Sequence, residues 1–286
     1  MNKINSVGRV VFMKYSVLMS VYIEEKPEYF ALSLDSMLEQ TVKPDEIVLV
    51  KDGSLTEELD IVINQYQKQY STLFKVVSLE KNVGLGLALN EGLKVAKNDL
   101  VARMDTDDIA LSTRCEKQLQ LFKMDPELSI VGTNIDEFSE NHSVIHSSRV
   151  VPEKHDDIVQ FSKKRNPFNH PTVMYKKNDV LESGGYGNFR RNQDYELFVR
   201  MLNEGYQAAN INESLLLFRA NEDNLKRRKS WRKTKNDLKI RYNFWKKGFV
   251  GFSDLSISAI GILVAYLAPG WLFERLSSSL LREKKK

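Results

Sequence analysis

Leu100-Val101-Ala102-Arg103-Met104-Asp105-Thr106-Asp107-Asp108 sets a short apolar run directly against three carboxylates. Leu, Val and Ala in brief succession suit a strand buried on both faces. Three aspartates in four residues repel one another, and a loop that tolerates them commonly holds a hard divalent cation. Mg²⁺ and Mn²⁺ favour carboxylate oxygens and often share their coordination with substrate phosphates. Taken alone, the same residues also make a solvated acidic turn ahead of the helix expected near Ser112.

Upstream of this stretch, short apolar runs at 15–22, 46–50 and 74–79 read as further buried strands. Between them, 27–40, 56–70 and 84–96 repeat apolar residues at three- and four-residue steps, as amphipathic helices do, and Pro27 suits a first helical turn. Strand and helix alternating through 15–104 predict βαβ units and a mainly parallel sheet flanked by helices. Ligands of such sheets bind beyond the carboxyl ends of the strands. Downstream, 130–135, 172–175 and 214–218 read as strands and 192–203 as an amphipathic helix.

The first two strand ends are polar. One reads Ser20-Val21-Tyr22-Ile23-Glu24, the other Val50-Lys51-Asp52-Gly53-Ser54. Asp-Gly favours a tight turn, and a carboxylate there can accept from a nucleobase N–H or a ribose hydroxyl, although Asp-Gly-Ser is also a common turn. Asn82-Val83-Gly84-Leu85-Gly86 resembles a glycine-rich phosphate loop, but Leu89 stands where the third glycine of G-x-G-x-x-G belongs.

Together with N-x-G-L-x-x-A-L-N-x-G-L at 82–93 and A-R-M-D-T-D-D at 102–108, these strand ends resemble the nucleotide-binding half of family 2, GT-A fold glycosyltransferases. Asn166-Pro167-Phe168-Asn169-His170-Pro171 and Gln193-Asp194-Tyr195-Glu196 are similar to acceptor-side segments of members that build bacterial capsules and exopolysaccharides, amylovoran-type enzymes among them. The likeness covers about 15–220. It implies a Rossmann-like GT-A domain over 1–225, with a nucleotide half near 15–110 and an acceptor half near 111–225.

It also implies roles. Ser20, Tyr22, Glu24, Asp52, Asn82, Gly84, Arg103 and Asp105 would bind the nucleotide and donor, with Asp52 on the base. Asp105 and Asp107 would form the D-x-D that meets Mn²⁺ or Mg²⁺, Asp194 would be the catalytic base, and His170 and Gln193 would approach acceptor or phosphate. Lys51 departs from the pattern, since many members carry a second acid there. So does Phe218-Arg219-Ala220-Asn221, where some members place a histidine near the metal.

The net charge of +4 averages two unlike regions. Residues 226–286 carry 16 Lys/Arg against 4 Asp/Glu, or +12, leaving 26 against 34, or −8, on 1–225. A basic tail on an acidic body meets nucleic acid or anionic lipid. Residues 255–273 contain no charge, and a nucleic-acid-binding protein has no use for them, so the tail is expected to be helical and to meet an anionic membrane surface rather than nucleic acid. Nineteen residues approach a bilayer span, yet positive flanks and Pro269 favour a peripheral or monotopic seat, with a true span and a helix packed on the catalytic domain or a partner as the other readings. One cysteine, Cys115, excludes an internal disulfide and a cysteine-based zinc cluster, and the N-terminus does not read as a secretory signal, so a cytoplasmic compartment is expected.

The expected activity is thus inverting transfer from a nucleotide-diphosphate sugar, UDP by family habit, to a saccharide acceptor, polyprenyl-diphosphate-linked, at the cytoplasmic membrane face. A sugar-phosphate nucleotidyltransferase would carry a glycine-rich loop where this chain reads Val21-Tyr22-Ile23-Glu24. A non-catalytic membrane-surface or nucleic-acid-binding protein would leave the acidic loop inert.

Overall fold

The structure, a computed structural model, describes residues 13–220 and 231–267. Its first half alternates β1 (Tyr15–Val21), α1 (Pro27–Leu38), β2 (Glu46–Lys51), α2 (Glu57–Gln69), β3 (Phe74–Ser78), α3 (Leu85–Val95) and β4 (Leu100–Arg103). The strands pair in parallel in the order β3-β2-β1-β4, so all four carboxyl ends lie along one edge. Successive strand residues face opposite sides. Val17, Met19, Ile47 and Leu49 therefore pack with Phe30, Leu34 and Met37 of α1 and with Leu59 and Ile63 of α2. Leu18, Val48 and Val50 pack on the other face with Ala88, Leu89 and Leu93 of α3. Burial on both sides explains why these strands read as unbroken apolar runs.

The second half is β5 (Ile109–Ala110), α4 (Arg114–Met124), β6 (Leu128–Phe138), β7 (Ile145–Arg149), α5 (His155–Ser162), β8 (Met174–Lys176), α6 (Lys177–Glu182), α7 (Gln193–Asn203) and β9 (Gln207–Arg219). The nine strands form one sheet in which β8 runs antiparallel to both β4 and β6, while β9 lies parallel to β6. Ala102 pairs with Met174, which brings the short 3₁₀ turn His170–Thr172 to the end of β4. The parallel arrangement expected from the sequence thus holds for β1 to β4, and the sheet continues with mixed pairing.

Strand β6 runs three residues beyond the expected end because Asp136 and Glu137 are buried there, accepting from Ser148 Oγ at 2.7 Å and Ser147 Oγ at 2.6 Å. Strand β9 likewise begins seven residues early. Its polar Asn210 is buried, donating from Nδ2 to the carbonyls of Pro152 (2.6 Å) and Pro167 (3.1 Å). Side chains that look like loop residues are strand residues once a partner satisfies them.

Two helices follow, α8 (Trp231–Lys246) and α9 (Phe252–Leu267). Ile240 and Phe244 of α8 bury themselves against Tyr195 and Val199 of α7, with the Tyr195 and Phe244 rings edge to face at 5.4 Å. Among the described residues no helix is long and apolar enough to cross a membrane. Residues 226–230 of the basic run, 268–273 of the uncharged run and everything after them lie outside the described residues.

Candidate active site

The acidic loop is held from beneath by its own neighbours. Ser33 Oγ of α1 donates to the Asp105 carbonyl at 2.6 Å, and Ser36 Oγ accepts from the Ala110 amide at 3.1 Å. Arg114, fully buried, donates from Nη2 to the Arg103 carbonyl at 2.6 Å and from Nε to Gln118 Oε1 at 3.3 Å. The backbone is therefore shaped before any ligand arrives.

The carboxylates above it are crowded. Burial and then Asp105 push the Asp107 carboxyl up to about 6. Asp108 is fully buried, and burial, then Asp107, then Asp105 raise it well above its usual range, with Oδ1 accepting from the Arg219 amide at 2.8 Å. Glu25, just past β1, faces the same loop; burial, then Asp107, then Asp105 push it up to about 8. Glu24 is exposed and takes the Tyr22 hydroxyl at 3.2 Å instead. Glu25 is thus a residue that the strand-end reading passed over. Its signal was the Glu24-Glu25 pair itself, since only one of two successive side chains can face the loop.

Arg219 closes the loop from β9. Its Nε donates to the Asp107 carbonyl at 2.9 Å, and its guanidinium lies 3.7 Å from the Tyr29 ring centroid and 4.5 Å from that of Phe138. A guanidinium stacked between two rings is held by ring quadrupoles and by flat surface contact. The motif that departs from the family's histidine therefore contributes a fixed cation beside the acidic loop.

Arg103 joins this loop to His170 and α7. It is fully buried, in ion-pair contact with Asp105, and its Nε and Nη1 meet no acceptor among the described residues. Its charge is felt at Asp105, Asp108, Tyr186, His170 and Asp194. Burial and then Arg103 hold the His170 ring well below its ordinary range, so it is neutral; its Nε2 sits 3.1 Å from the Tyr186 hydroxyl. This histidine is satisfied by a tyrosine side chain rather than by backbone.

Asp194 occupies the first turn of α7, where helix amides and the positive end of the dipole favour a carboxylate. Burial nonetheless raises its pKa, opposed by the amides of Tyr195 and Asp194 and by Arg149 and Arg103. Asn166 Nδ2 donates to Asp194 Oδ2 at 2.6 Å and orients the carboxylate. Gln193 is buried beside it and packs on Gly86, where an added Cβ would lie 3.0 Å from Gln193 Cγ and 3.2 Å from Tyr186 Cβ. Gly86 thus permits α3 to meet α7. Asn90 of the same motif clasps Tyr186, accepting from its amide at 2.8 Å and donating to its carbonyl at 2.9 Å.

At the other end of the cleft, Asp52 accepts from the amides of Val83 (2.7 Å) and Gly84 (3.0 Å), tying β2 to the start of α3. Gly53 has φ +91°, and a Cβ there would fall 2.7 Å from the Asn82 amide nitrogen, so only glycine fits. Asn82 Oδ1 accepts from Arg190 Nη1 at 2.9 Å, which ties the segment before α7 to the loop between β3 and α3. Ser20 lies one residue from the end of β1, paired in register with Val50. Every residue assigned from the sequence therefore lies at the carboxyl edge of β1, β2 and β4 or on segments packed against it.

The residues fit a divalent cation. Burial and mutual repulsion hold the Asp107 and Asp108 carboxyls high even with Arg103 and Arg219 beside them, so a further cation is favoured there, and Mg²⁺ or Mn²⁺ needs only one or two carboxylates when substrate phosphates complete its shell. Among the described residues no cluster of three His, Cys, Asp or Glu side chains is preformed as a cage. Asp105 and Asp107 would be the ligands.

Fold and edge residues define an α/β protein of the kind that binds ligands beyond the carboxyl edge of a parallel sheet. The family model "Glycosyl transferase family 2" matches residues 16–197, and the chain belongs to that family. It is 34% identical over 267 residues to the UDP-Gal:alpha-D-GlcNAc-diphosphoundecaprenol beta-1,3-galactosyltransferase of Escherichia coli, covering 92% of this chain and 96% of that one. It is 39% identical over 226 residues to the amylovoran biosynthesis glycosyltransferase AmsE of Erwinia amylovora, covering 79% and 84%. Among solved structures, the mannosyltransferase PcManGT from Pyrobaculum calidifontis, in complex with GDP-Man and Mn²⁺, superposes with a TM-score of 0.63 at 15% identity, covering 95% of this chain and 75% of that one. The fold is that of GT-A glycosyltransferases, and the family reading prevails over the nucleotidyltransferase and non-enzymatic ones.

The crowding makes a pH prediction. Glu25 has a folded pKa of about 8 against an ordinary value near ~4.3, so it binds a proton in the folded state that the unfolded state releases. Stability from that proton is present below about pH 4 and is lost as pH rises toward about 8. Glu25→Gln is expected to raise Tm by about 3 °C at pH 7.5 in the absence of divalent cations, with the gain shrinking toward pH 5. Differential scanning fluorimetry across that range checks it; an unchanged Tm at pH 7.5 would refute the crowding.

Proposed function

We propose that this glycosyltransferase is metal-dependent and inverting, and that it moves a sugar from a UDP-sugar to a polyprenyl-diphosphate-linked saccharide in capsule, exopolysaccharide or other surface polysaccharide synthesis. It works at the cytoplasmic face of the membrane, seated peripherally or monotopically, as a catalytic body over 1–225 and a basic tail over 226–286. The observation that supports the reading is Arg103, buried in ion-pair contact with Asp105 of the D-x-D and also lowering the pKa of Asp194. The E. coli relative, named for a UDP-Gal donor and a diphosphoundecaprenol-linked acceptor, supports the substrate classes.

Asp194 takes the proton of the attacking acceptor hydroxyl. Burial helps, because a carboxyl raised toward neutrality is a better base than a solvated one. Asn166 fixes its orientation. Asp52 keeps lone pairs for a nucleobase N–H beyond its two loop contacts. Asp105 and Asp107 would hold Mn²⁺ or Mg²⁺, which, when bound, neutralises charge developing on the diphosphate leaving group. One base and one in-line displacement invert the anomeric centre.

A panel of nucleotide sugars with Mn²⁺ tests the donor class. The matching one is expected to raise Tm by mass action, with UDP-sugars ahead of GDP-sugars. A larger shift with GDP-sugars would overturn the UDP assignment.

A further inference from the structure

Helix α9 carries an apolar stripe that the fold leaves uncovered. Phe252, Ile257, Ile260, Val264 and Leu267 share one side of the helix, each is more than half exposed, and no residue of α9 is buried among the described residues. Helix α8 is the complement. Its Ile240 and Phe244 face α7, while Lys235, Lys239, Tyr242 and Lys246, spaced four, three and four apart, face outward. The two helices pair along their length: Trp245 meets Phe252 with ring centroids at 6.2 Å and Trp231 meets Tyr266 at 5.5 Å, at opposite ends of the hairpin.

We propose that this α8–α9 surface docks on an anionic bilayer, with α9 lying along the headgroup–acyl boundary, and that it sets the height of Asp194 above the membrane. The described residues of α9 pack one side on α8, through Ser258 and Tyr266, and leave the apolar stripe on the other, which suits a helix lying along the interface. Lysines flanking an apolar stripe match anionic headgroups, and Trp and Tyr prefer that depth. A second copy of the same face would instead set lysines against lysines.

The link to the site is through α8. Asn192, the cap of α7, donates to Asp237, and Arg241 donates from Nη2 to the Lys164 carbonyl at 2.5 Å and from Nη1 to Ser258 Oγ of α9 at 3.0 Å. Helix α7 and its Asp194 are therefore tied to the docking surface. This height setting rests on the proposed lipid-linked acceptor, whose saccharide must reach Asp194 from the bilayer.

Full-length protein is floated with vesicles of phosphatidylglycerol and phosphatidylethanolamine and with phosphatidylcholine alone. Wild type is expected to float with the anionic vesicles. The double variant Ile260→Asp, Val264→Asp is expected to lose about tenfold or more of that binding at any salt, and Lys239→Glu, Lys246→Glu to lose it at low salt. All four side chains lie on exposed sides of their helices, so Tm should stay unchanged. Transfer to a short-chain, water-soluble diphosphate-saccharide should persist in both variants, while transfer to the same saccharide on a polyprenol in vesicles falls about tenfold.

Variants that float as wild type does would overturn the proposal. So would a wild-type dimer that the apolar variant converts to monomer without loss of vesicle binding. Failure of wild type on both acceptors would sink the substrate reading instead, and flotation would still decide the docking surface.

Discussion

Asp194→Asn is expected to lower kcat by about 10³-fold while leaving nucleotide binding within about twofold of wild type. Asparagine keeps the size of the side chain and can still pair with Asn166 through its own carbonyl, so the first turn of α7 is preserved. What it loses is a group able to accept the hydroxyl proton. The buried setting sharpens the contrast. Burial raises the Asp194 carboxyl, which makes it a stronger base, and a neutral amide in the same place has no comparable basicity. Single-turnover transfer, together with a thermal-shift titration of the nucleotide, measures both halves. A variant retaining a tenth of wild-type turnover would reject Asp194 as the base.

Asp107→Asn is expected to reduce divalent-cation-dependent transfer by about 10²-fold or more and to abolish the part of the nucleotide-sugar thermal shift that requires Mn²⁺. The same substitution should not cost stability without the cation, since it removes one member of a crowded carboxylate group and lets Glu25 ionise more easily. Those two readouts move in opposite directions, which separates loss of a ligand from loss of fold. In the wild type, cation activation should also weaken as pH falls through about 6, where Asp107 takes up a proton and stops being a ligand. Full activity of Asp107→Asn with Mn²⁺ would remove Asp107 from the metal site.

Much of this was readable from residue order. Alternating short apolar runs and three-and-four-residue periodicities gave the first four strands and three helices nearly to the residue, because a strand buried on both faces must be apolar throughout and a covering helix must repeat its inward face. The acidic loop was legible for the same reason, carboxylates placed immediately after a buried strand. Where polar side chains are buried in partnership, the reading failed. Asp136, Glu137 and Asn210 look like loop residues, and only hydrogen bonds to Ser147, Ser148 and distant carbonyls make them part of β6 and β9.

The glycine-rich segment is a second case. It resembled a phosphate loop whose spacing fails at Leu89, and in the fold Gly86 lets α3 approach Gln193 and Tyr186 while Asn90 grips the Tyr186 backbone. These contacts join residues about a hundred positions apart, which no local pattern can express. Arg219, named as a departure from the family, became intelligible as a cation stacked on Tyr29 and Phe138 beside the acidic loop.

The opposite charges of body and tail and the parallel half of the sheet follow from composition and periodicity, which are properties of neighbours along the chain, and the roles expected at its edge follow from the family resemblance. Which of Glu24 and Glu25 faces the acidic loop, how Arg103 connects that loop to Asp194, and which side of α8 is covered were decided only by tertiary structure. The physical reason is that burial and charge coupling depend on distance in space, and the chain brings its distant segments together only when it folds.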